Sequence, residues 1–387
     1  MKKTLTDYNY TNKKVIIRCD LNVPINNGII TDDTRIKESL ESLNYLIEHK
    51  AKIIILSHLG KIKTEEDIKT QSLYPIYLEL KKHLNTNVYF SKTTRGKELE
   101  LYVSKLKPKE VLLVENTRYE DYPNNLESNC DSCLSKYWAS LGDIFVNDAY
   151  GTSHRIHASN VGIAKILPSA IGFLVEREIA KIDNILNEST HPFTIVMGGK
   201  KISDKTMVID NLIQKCDYLL IGGAMCYTFL KAMNKNVGLS IVDNDNIDYC
   251  QKLLDKYSQK IILPVDIINK KLEVKDIDNL TDDDIGYDIG PKTNLIFSNI
   301  LKESKRVIIN GPMGVFEEKE FQNGTKNIYQ TLKENNIKTL IGGGDSAASV
   351  NLLGYSNSFY HISTGGGATL EYLEGKSLPA IDVINDK

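Results

Sequence analysis

Residues Thr339 to Val350 read TLIGGGDSAASV: a short apolar run, three successive glycines, one aspartate, then small helix-forming residues. The apolar run is strand-like and the small residues are helix-like, so the glycines stand at a strand-to-helix junction. Glycine loses more conformational freedom on folding than any other residue, and three in succession require a reason. Either the chain turns tightly there, or a large anion lies against bare backbone N–H groups at a helix N-terminus, where the dipole favours negative charge. The segment alone leaves both readings open.

The same theme repeats along the chain. Apolar runs of four to seven residues, KVIIR, AKIIILS, VLLVE, DIFVN, FTIVM, YLLIG, RVIIN, TLIGG and YHIS, alternate with longer segments of helical period such as Arg35 to His49. Runs that are apolar on both faces and separated by helices imply largely parallel sheets covered on both sides. This is a doubly wound α/β architecture, in which ligands bind outside the carboxyl ends of the strands. With 387 residues, the chain exceeds the roughly 250–300 that one core organises, so two domains are expected.

Charge and composition exclude several classes. Lys+Arg number 48 against 50 Asp+Glu, which gives no basic excess for nucleic acid or an anionic membrane surface. The N-terminus, MKKTLTDYNYTNKK, lacks the apolar run of a signal or spanning segment, so a soluble, cytoplasmic protein is expected. Cys130 and Cys133 form a C-x-x-C that is followed by His154 and His157, imitating a four-ligand zinc site. Between the pairs lies KYWASLGDIFVND, a helix end and a buried strand, which holds them apart unless the fold brings them back. Reduced, incidental thiols are the expectation, with zinc as the alternative.

The strand ends differ between the two halves. In the first half they carry Arg, His, Asn and Asp: RCDLNVP (18–24), SHLGK (57–61), ENTRYED (115–121) and NDAYGTSHRIH (147–157). Arg35, Arg118 and Arg155 can fork onto carboxylate or phosphate oxygens, and His58, Asp20 and Asn22 can recognise hydroxyl and carboxylate groups, so this half suits a small polyanion. In the second half the ends are glycines: GGKKISDK (198–205), GGAM (222–225), NGPMGVFE (310–317), GGGDS (342–346) and TGGGA (364–368). Repeated glycine–helix junctions suit a polyphosphate, with Lys201 and Lys205 on one face of a helix beginning near Ser203, and Asp345 placed to meet a metal. Neither G-x-x-x-x-G-K-[ST] nor G-x-G-x-x-G in its proper context is present, which disfavours a P-loop enzyme and a nicotinamide dehydrogenase.

These segments, together with GFLVEREI, LPVD, DIGPKT and STGGGATLEYLEGKSLP, resemble the phosphoglycerate kinase family in that family's order from end to end. The resemblance implies a glycolytic phosphotransferase: a hinged, cytoplasmic monomer that moves a phosphoryl group reversibly from 1,3-bisphosphoglycerate to ADP with Mg2+, giving 3-phosphoglycerate and ATP. It implies two doubly wound, Rossmann-like α/β domains with mainly parallel sheets, joined by a hinge helix. The expected boundaries are 1–166 for phosphoglycerate, 167–188 for the hinge, 189–374 for the nucleotide, and 375–387 for a tail returning toward the first domain. Its partners are the small molecules 3-phosphoglycerate, 1,3-bisphosphoglycerate, ADP and ATP, with no nucleic acid and no membrane.

Carried over position by position, the resemblance puts Asp20, Asn22, Arg35, His58, Leu59, Gly60, Lys61, Arg118 and Arg155 on the phosphoglycerate. It puts Gly199, Lys201, Lys205, Gly223, Pro312, Val315, Glu317, Gly343, Gly344, Asp345 and Ser346 on the nucleotide, with Asp345 also on the metal and as cap of its helix. Arg35, Lys201, Gly366 and Gly367 would serve the migrating group itself. Departures from the family pattern are Lys200 beside Lys201, Lys61 in place of an arginine, Ile309 in place of a tryptophan, and Cys19 in place of a valine; none removes a group that the chemistry requires.

Overall fold

All nine apolar runs form strands, and in eight of them consecutive residues are buried, Val15, Ile16 and Ile17 each at most 1% exposed, while the edge strand His361–Ile362 is half-buried. Successive side chains of a strand point to opposite faces, so burial without alternation means that both faces are covered. The computed structural model describes all 387 residues, Met1–Lys387. Its contacts separate into two units, Met1–Ala180 with Ser377–Lys387, and Lys181–Lys376.

In the first unit six parallel strands lie in the order Val88–Ser91, Val111–Val114, Lys52–Leu56, Lys14–Cys19, Ile144–Asp148, Ser169–Ile171. The chain starts at Lys14–Cys19, builds to one side, then crosses to Ile144–Asp148, so the order reverses beside the first strand. In the second unit the order is Ile261–Ile262, Tyr218–Ile221, Phe193–Met197, Arg306–Asn310, Lys338–Gly342, His361–Ile362, again all parallel. Numbered along the chain this is 3-2-1-4-5-6, with the switch point between Phe193–Met197 and Arg306–Asn310. A small antiparallel sheet, Val274–Asp276, Asp266–Asn269 and Gly286–Ile289, is attached to this unit.

The expected helix from Leu167 to Glu188 is shorter than the sequence reading. Ser169–Ile171 forms an edge strand, and the helix is Phe173–Asn187. Pro168 disfavours a helical residue before it and lacks the N–H that a helix interior would use. At Gly172 a Cβ would lie 2.2 Å from the Asp148 carboxyl, so the chain must pass tightly over the sheet there. The same carboxyl then receives the free N–H groups of the new helix, from Leu174 at 2.9 Å and Val175 at 3.4 Å. Burial pushes the Asp148 pKa up to about 6.

Ser377–Lys387 is tied to the start of the chain and to the first sheet: Lys3 N–H donates to Asn385 O at 2.8 Å, and Asn147 Nδ2 to Ala380 O at 2.9 Å. No helix is long and apolar enough to cross a membrane.

Candidate functional site

The first cluster gathers at the carboxyl end of the strand Lys14–Cys19. Asp20, buried, pairs with Arg35 at 2.8 Å. Asn22 Oδ1 accepts the Gly60 N–H at 3.0 Å, and Leu59 exchanges hydrogen bonds with Asn116, donating at 3.2 Å and accepting at 2.8 Å. These bonds pin the SHLGK turn to the neighbouring strand ends. Arg118 sits in the turn Thr117–Asp121 and donates from Nη1 to Asp121 at 2.9 Å and Ser128 at 2.5 Å, while its buried Nε finds no acceptor. Arg155 and Lys61 are exposed, Arg155 donating to His154 Nε2 at 3.1 Å.

The histidines of this cluster are kept neutral. Burial, then Arg18, Arg118, His157 and Arg35, hold the His58 pKa well below the ordinary 6.5. Burial, with Arg118, Arg18, Arg155 and His154 adding to it, brings His157 down to about 3. Four arginines act on these two rings and outnumber the carboxylates Asp20, Asp121 and Glu127 set among them. Such a face recognises an anion through fixed forks and neutral ring nitrogens.

The second cluster is built of backbone. A Cβ on Gly198 would lie 2.0 Å from Pro312 O, one on Gly223 2.4 Å from Gly199 N, and one on Gly311 2.2 Å from Gly198 O. Three strand-end turns pack main chain against main chain, bonded from Gly199 N to Pro312 O at 2.9 Å and from Gly223 N to Met313 O at 3.0 Å. The fold itself therefore requires these glycines. Gly343 and Gly344 differ. Gly343, with φ 93°, ends the strand and stands as N-cap of the helix Gly344–Leu352, while nothing lies within 4 Å of a Cβ on Gly344. A Cβ on Gly366, the first residue of the helix Gly366–Leu373, would come to 3.9 Å from Gly344 N. Two helix N-termini thus converge on open space.

Lys205 and Asn310 flank that space. Lys205 Nζ donates to Asn310 O at 3.2 Å and to Asn310 Oδ1, and burial, opposed by Asp345 and Asp204, brings its pKa down to about 8. Asn310 Nδ2 is buried without an acceptor, 3.4 Å from a Cβ placed on Gly343. Ser346 Oγ accepts the Gly311 N–H at 2.6 Å, joining the two turns. Glu317, exposed, lies at the end of a loop fixed by Val315 N–H to Tyr287 O at 2.9 Å. Under that loop Asp288 accepts from Gly324 N–H at 2.7 Å and Ile289 N–H at 2.9 Å, and burial raises its pKa to about 7.

Two sequence expectations are corrected. Lys201 and Lys205 do not share a helix face: Lys205 N–H closes a turn onto Ile202 O at 2.8 Å, and the helix is Thr206–Leu212. Serine and aspartate side chains compete with the backbone for hydrogen bonds and so favour turns over helix interiors; the Ser203 N–H donates to Asp243 Oδ2 at 3.1 Å. Lys200 and Lys201 are both exposed, and the Lys201 charge helps to lower the Asp243 pKa. Asp345 is the second residue of its helix, and Gly343 holds the cap position, because the positive φ that ends the strand falls two residues earlier. The Asp345 carboxylate is exposed.

Sequence reasoning passed over Arg18, Glu127, Ser159 and Asn310, all buried polar residues in these clusters. Arg18 and Asn310 had a usable signal, a polar residue at the end of an apolar run. Cys130, Cys133, His154 and His157 form no metal-sized group among the described residues; the one such group is Asp33, Glu79 and His83, whose carboxylates pair with Lys37 at 3.0 Å and Lys82 at 2.7 Å.

Three comparisons bear on this geometry. The family model for phosphoglycerate kinase matches residues 5–376. Curated relatives, each a phosphoglycerate kinase and each covered over 100% of both chains, include those of Fusobacterium nucleatum, 49% identical over 398 residues, and Enterococcus faecalis, 49% identical over 395. Among solved structures, phosphoglycerate kinase from Coxiella burnetii superposes with a TM-score of 0.88 at 34% identity, covering 99% of this chain and 98% of that one. Phosphoglycerate kinase from Pyrococcus horikoshii OT3 gives 0.83 at 31% identity, covering 98% of each.

Proposed function

The chain belongs to the phosphoglycerate kinase family, and on that premise we propose how its residues divide the reaction it catalyses, reversible phosphoryl transfer from 1,3-bisphosphoglycerate to ADP in glycolysis. Asp20, Asn22, Arg35, His58, Leu59, Gly60, Lys61, Arg118 and Arg155, within residues 1–166, hold the phosphoglycerate. Gly199, Lys201, Lys205, Gly223, Pro312, Val315, Glu317 and Gly343 to Ser346, within 189–374, hold the nucleotide, Glu317 meeting ribose hydroxyls. Asn310 joins them through its unpaired Nδ2. The observation that carries the nucleotide assignment is the open space where the helices starting at Gly344 and Gly366 converge beside the half-buried Lys205.

A β-phosphate oxygen of ADP attacks the acyl phosphate; the new P–O bond forms as the bond to the carboxyl oxygen breaks, and 3-phosphoglycerate leaves as a carboxylate. No proton need move, so no general base is required. Arg35 and Lys201 neutralise the equatorial oxygens of the migrating group, and the Gly366 and Gly367 N–H groups point at it. Asp345, an exposed carboxylate beside the cradle, fits Mg2+, an ion held by one or two carboxylates together with substrate phosphates. When bound, the ion supplies charge neutralisation on the nucleotide phosphates.

Within residues 167–188, the helix Phe173–Asn187 acts as the hinge for a closure that brings the substrates in line and expels water that would hydrolyse the acyl phosphate. Of the tail 375–387, Ser377–Lys387 belongs with the first domain. The protein works as a cytoplasmic monomer on small molecules, without nucleic-acid or membrane partners, in keeping with its formal net charge of −2.

A coupled assay with 3-phosphoglycerate and ATP tests the activity. Calorimetry on Arg118→Ala tests the division: binding of 3-phosphoglycerate should weaken while binding of ADP to the free enzyme stays unchanged. Equal loss of both would contradict it.

A further inference from the structure

Behind the basic face of the first unit runs a buried polar chain that the reaction above does not use. Glu127 is fully buried. Its carboxylate accepts the Ser159 N–H at 2.9 Å through one oxygen and the Ser159 hydroxyl proton through the other. A serine hydroxyl has one proton to give, so Ser159 Oγ accepts in its remaining contact. That contact is Arg18 Nε, at 2.9 Å. Arg18, 1% exposed, also donates to Cys19 O at 2.6 Å and meets His58 Nδ1 at 3.2 Å. A guanidinium carries donors only. Nδ1 of His58 is therefore the acceptor, and the ring proton sits on Nε2; the other tautomer would set two donors against each other.

The chain also balances charge. Arg18 makes no direct ion pair with a carboxylate among the described residues, yet Glu127 is the largest charge holding it protonated against burial. An unpaired buried charge is expensive, and Ser159 joins these two through one shared oxygen. Glu127 also lies 3.8 Å from His157 Nδ1, the second ring of the same face.

We propose that Glu127 is a positioning residue for substrate recognition: through Ser159 and Arg18 it holds His58 as the Nε2–H tautomer, a fixed donor for a carboxylate or hydroxyl oxygen of the anionic substrate. The recognition role rests on the reading that His58 belongs to the phosphoglycerate face; the tautomer does not.

The experiment combines nitrogen NMR of the histidine rings with kinetics. In the ligand-free wild type at pH 7, His58, assigned by difference with His58→Gln, should show its proton on Nε2 and a bare Nδ1. Glu127→Gln keeps the shape but places a donor where the carboxylate only accepted. His58 should then move toward averaged nitrogen signals, and KM for 3-phosphoglycerate should rise about tenfold, the scale of one lost hydrogen bond, with kcat within about twofold. Ser159→Ala keeps the Glu127 charge and breaks the link, so it should do the same and serves if Glu127→Gln does not fold. A wild-type proton on Nδ1, or on both nitrogens, overturns the proposal. So do folded variants whose His58 spectrum matches the wild type, and a changed spectrum with an unchanged KM overturns the recognition role. Wild-type protein inactive with 3-phosphoglycerate would instead sink the functional reading, and the ligand-free spectrum would still decide the tautomer.

Discussion

The two units solve the same problem, holding a small anion at the carboxyl end of a parallel sheet, with opposite materials. The first uses side chains: arginines braced by Asp20, Asp121, Ser128 and Ser159, and histidines dried until they are neutral. The second uses main chain: glycines that let strand-end turns touch and leave helix N–H groups bare. A charged side chain shows its purpose in its identity. A glycine does not, since the same residue serves a close approach in the fold and a vacancy left for a ligand. Only the neighbours of the missing Cβ separate the two, and they divide Gly198, Gly223 and Gly311 from Gly344.

The largest effect should come from violating a glycine of the first kind. Gly198→Ala would drive a methyl to 2.0 Å from the Pro312 carbonyl oxygen, which is backbone and cannot rotate away. We expect a loss of about 3 kcal/mol or more in urea unfolding, at the upper end of overpacking. A stability equal to wild type would remove the distinction between the two kinds of glycine.

Next is the cation proposed to follow the migrating group. Lys201→Ala should lower kcat by about 10²–10³, or roughly 3–4 kcal/mol, by analogy with the loss of one pre-organised oxyanion donor. KM should move far less, because the contact matures only on transfer. Lys200 and Lys201 are both exposed and neither lies in a helix, so charge alone does not tell them apart. Lys200→Ala should change kcat by less than about threefold, as expected of a marginal surface charge. If steady-state kinetics reversed this order, Lys200 would be the residue that follows the phosphoryl group.

How much of this was legible follows the same line. Eight of the nine apolar runs were readable because strands buried on both faces carry unbroken apolar sequence, and the helix Thr34–Glu48 because its buried residues recur at helical spacing. Val88–Ser91 was not, since an edge strand with Tyr89 exposed lacks that signature. Ser169–Ile171 was read into the following helix because three residues carry no period. Among site residues, types with one obvious chemistry could be picked out. Glu127 and Ser159 could not, because a buried carboxylate and hydroxyl look like ordinary surface residues until the fold sets them behind Arg18.

Titration should expose the contrast with smaller energies and opposite signs. His157 titrates at about 3 in the folded chain against an ordinary 6.5, so below pH 6.5 the unfolded chain takes up a proton that the folded chain refuses. Stability from this group falls as pH drops from 6.5 toward 3. Asp288 titrates at about 7 against an ordinary 3.8, so its stabilisation is complete below 3.8 and is lost as pH rises toward 7. Each can tilt stability by at most about 1.4 kcal/mol per pH unit, and between pH 4.5 and 6 they oppose one another. Across that window His157→Gln should tilt stability downward with rising pH relative to wild type, and Asp288→Asn upward. Tilts of the same sign in urea midpoints would refute the assignment of one group to each limb.

The smallest structural effect should come from the glycine that the fold does not need. Gly344 opens a helix, lacks the positive φ of Gly343, and would meet nothing within 4 Å if it carried a Cβ. Alanine there fits the folded chain and restricts the unfolded one, so Gly344→Ala should leave stability unchanged or raise it by up to about 1 kcal/mol. The space the methyl enters is the one assigned to nucleotide phosphates, and ADP binding should weaken by about tenfold or more, roughly 1.4 kcal/mol. The two readouts are independent: unfolding without ligand reports the fold, and calorimetry with ADP reports the vacancy. A variant that lost stability and kept its affinity would make Gly344 a turn residue like any other, and the tight-turn reading of TLIGGGDSAASV would stand.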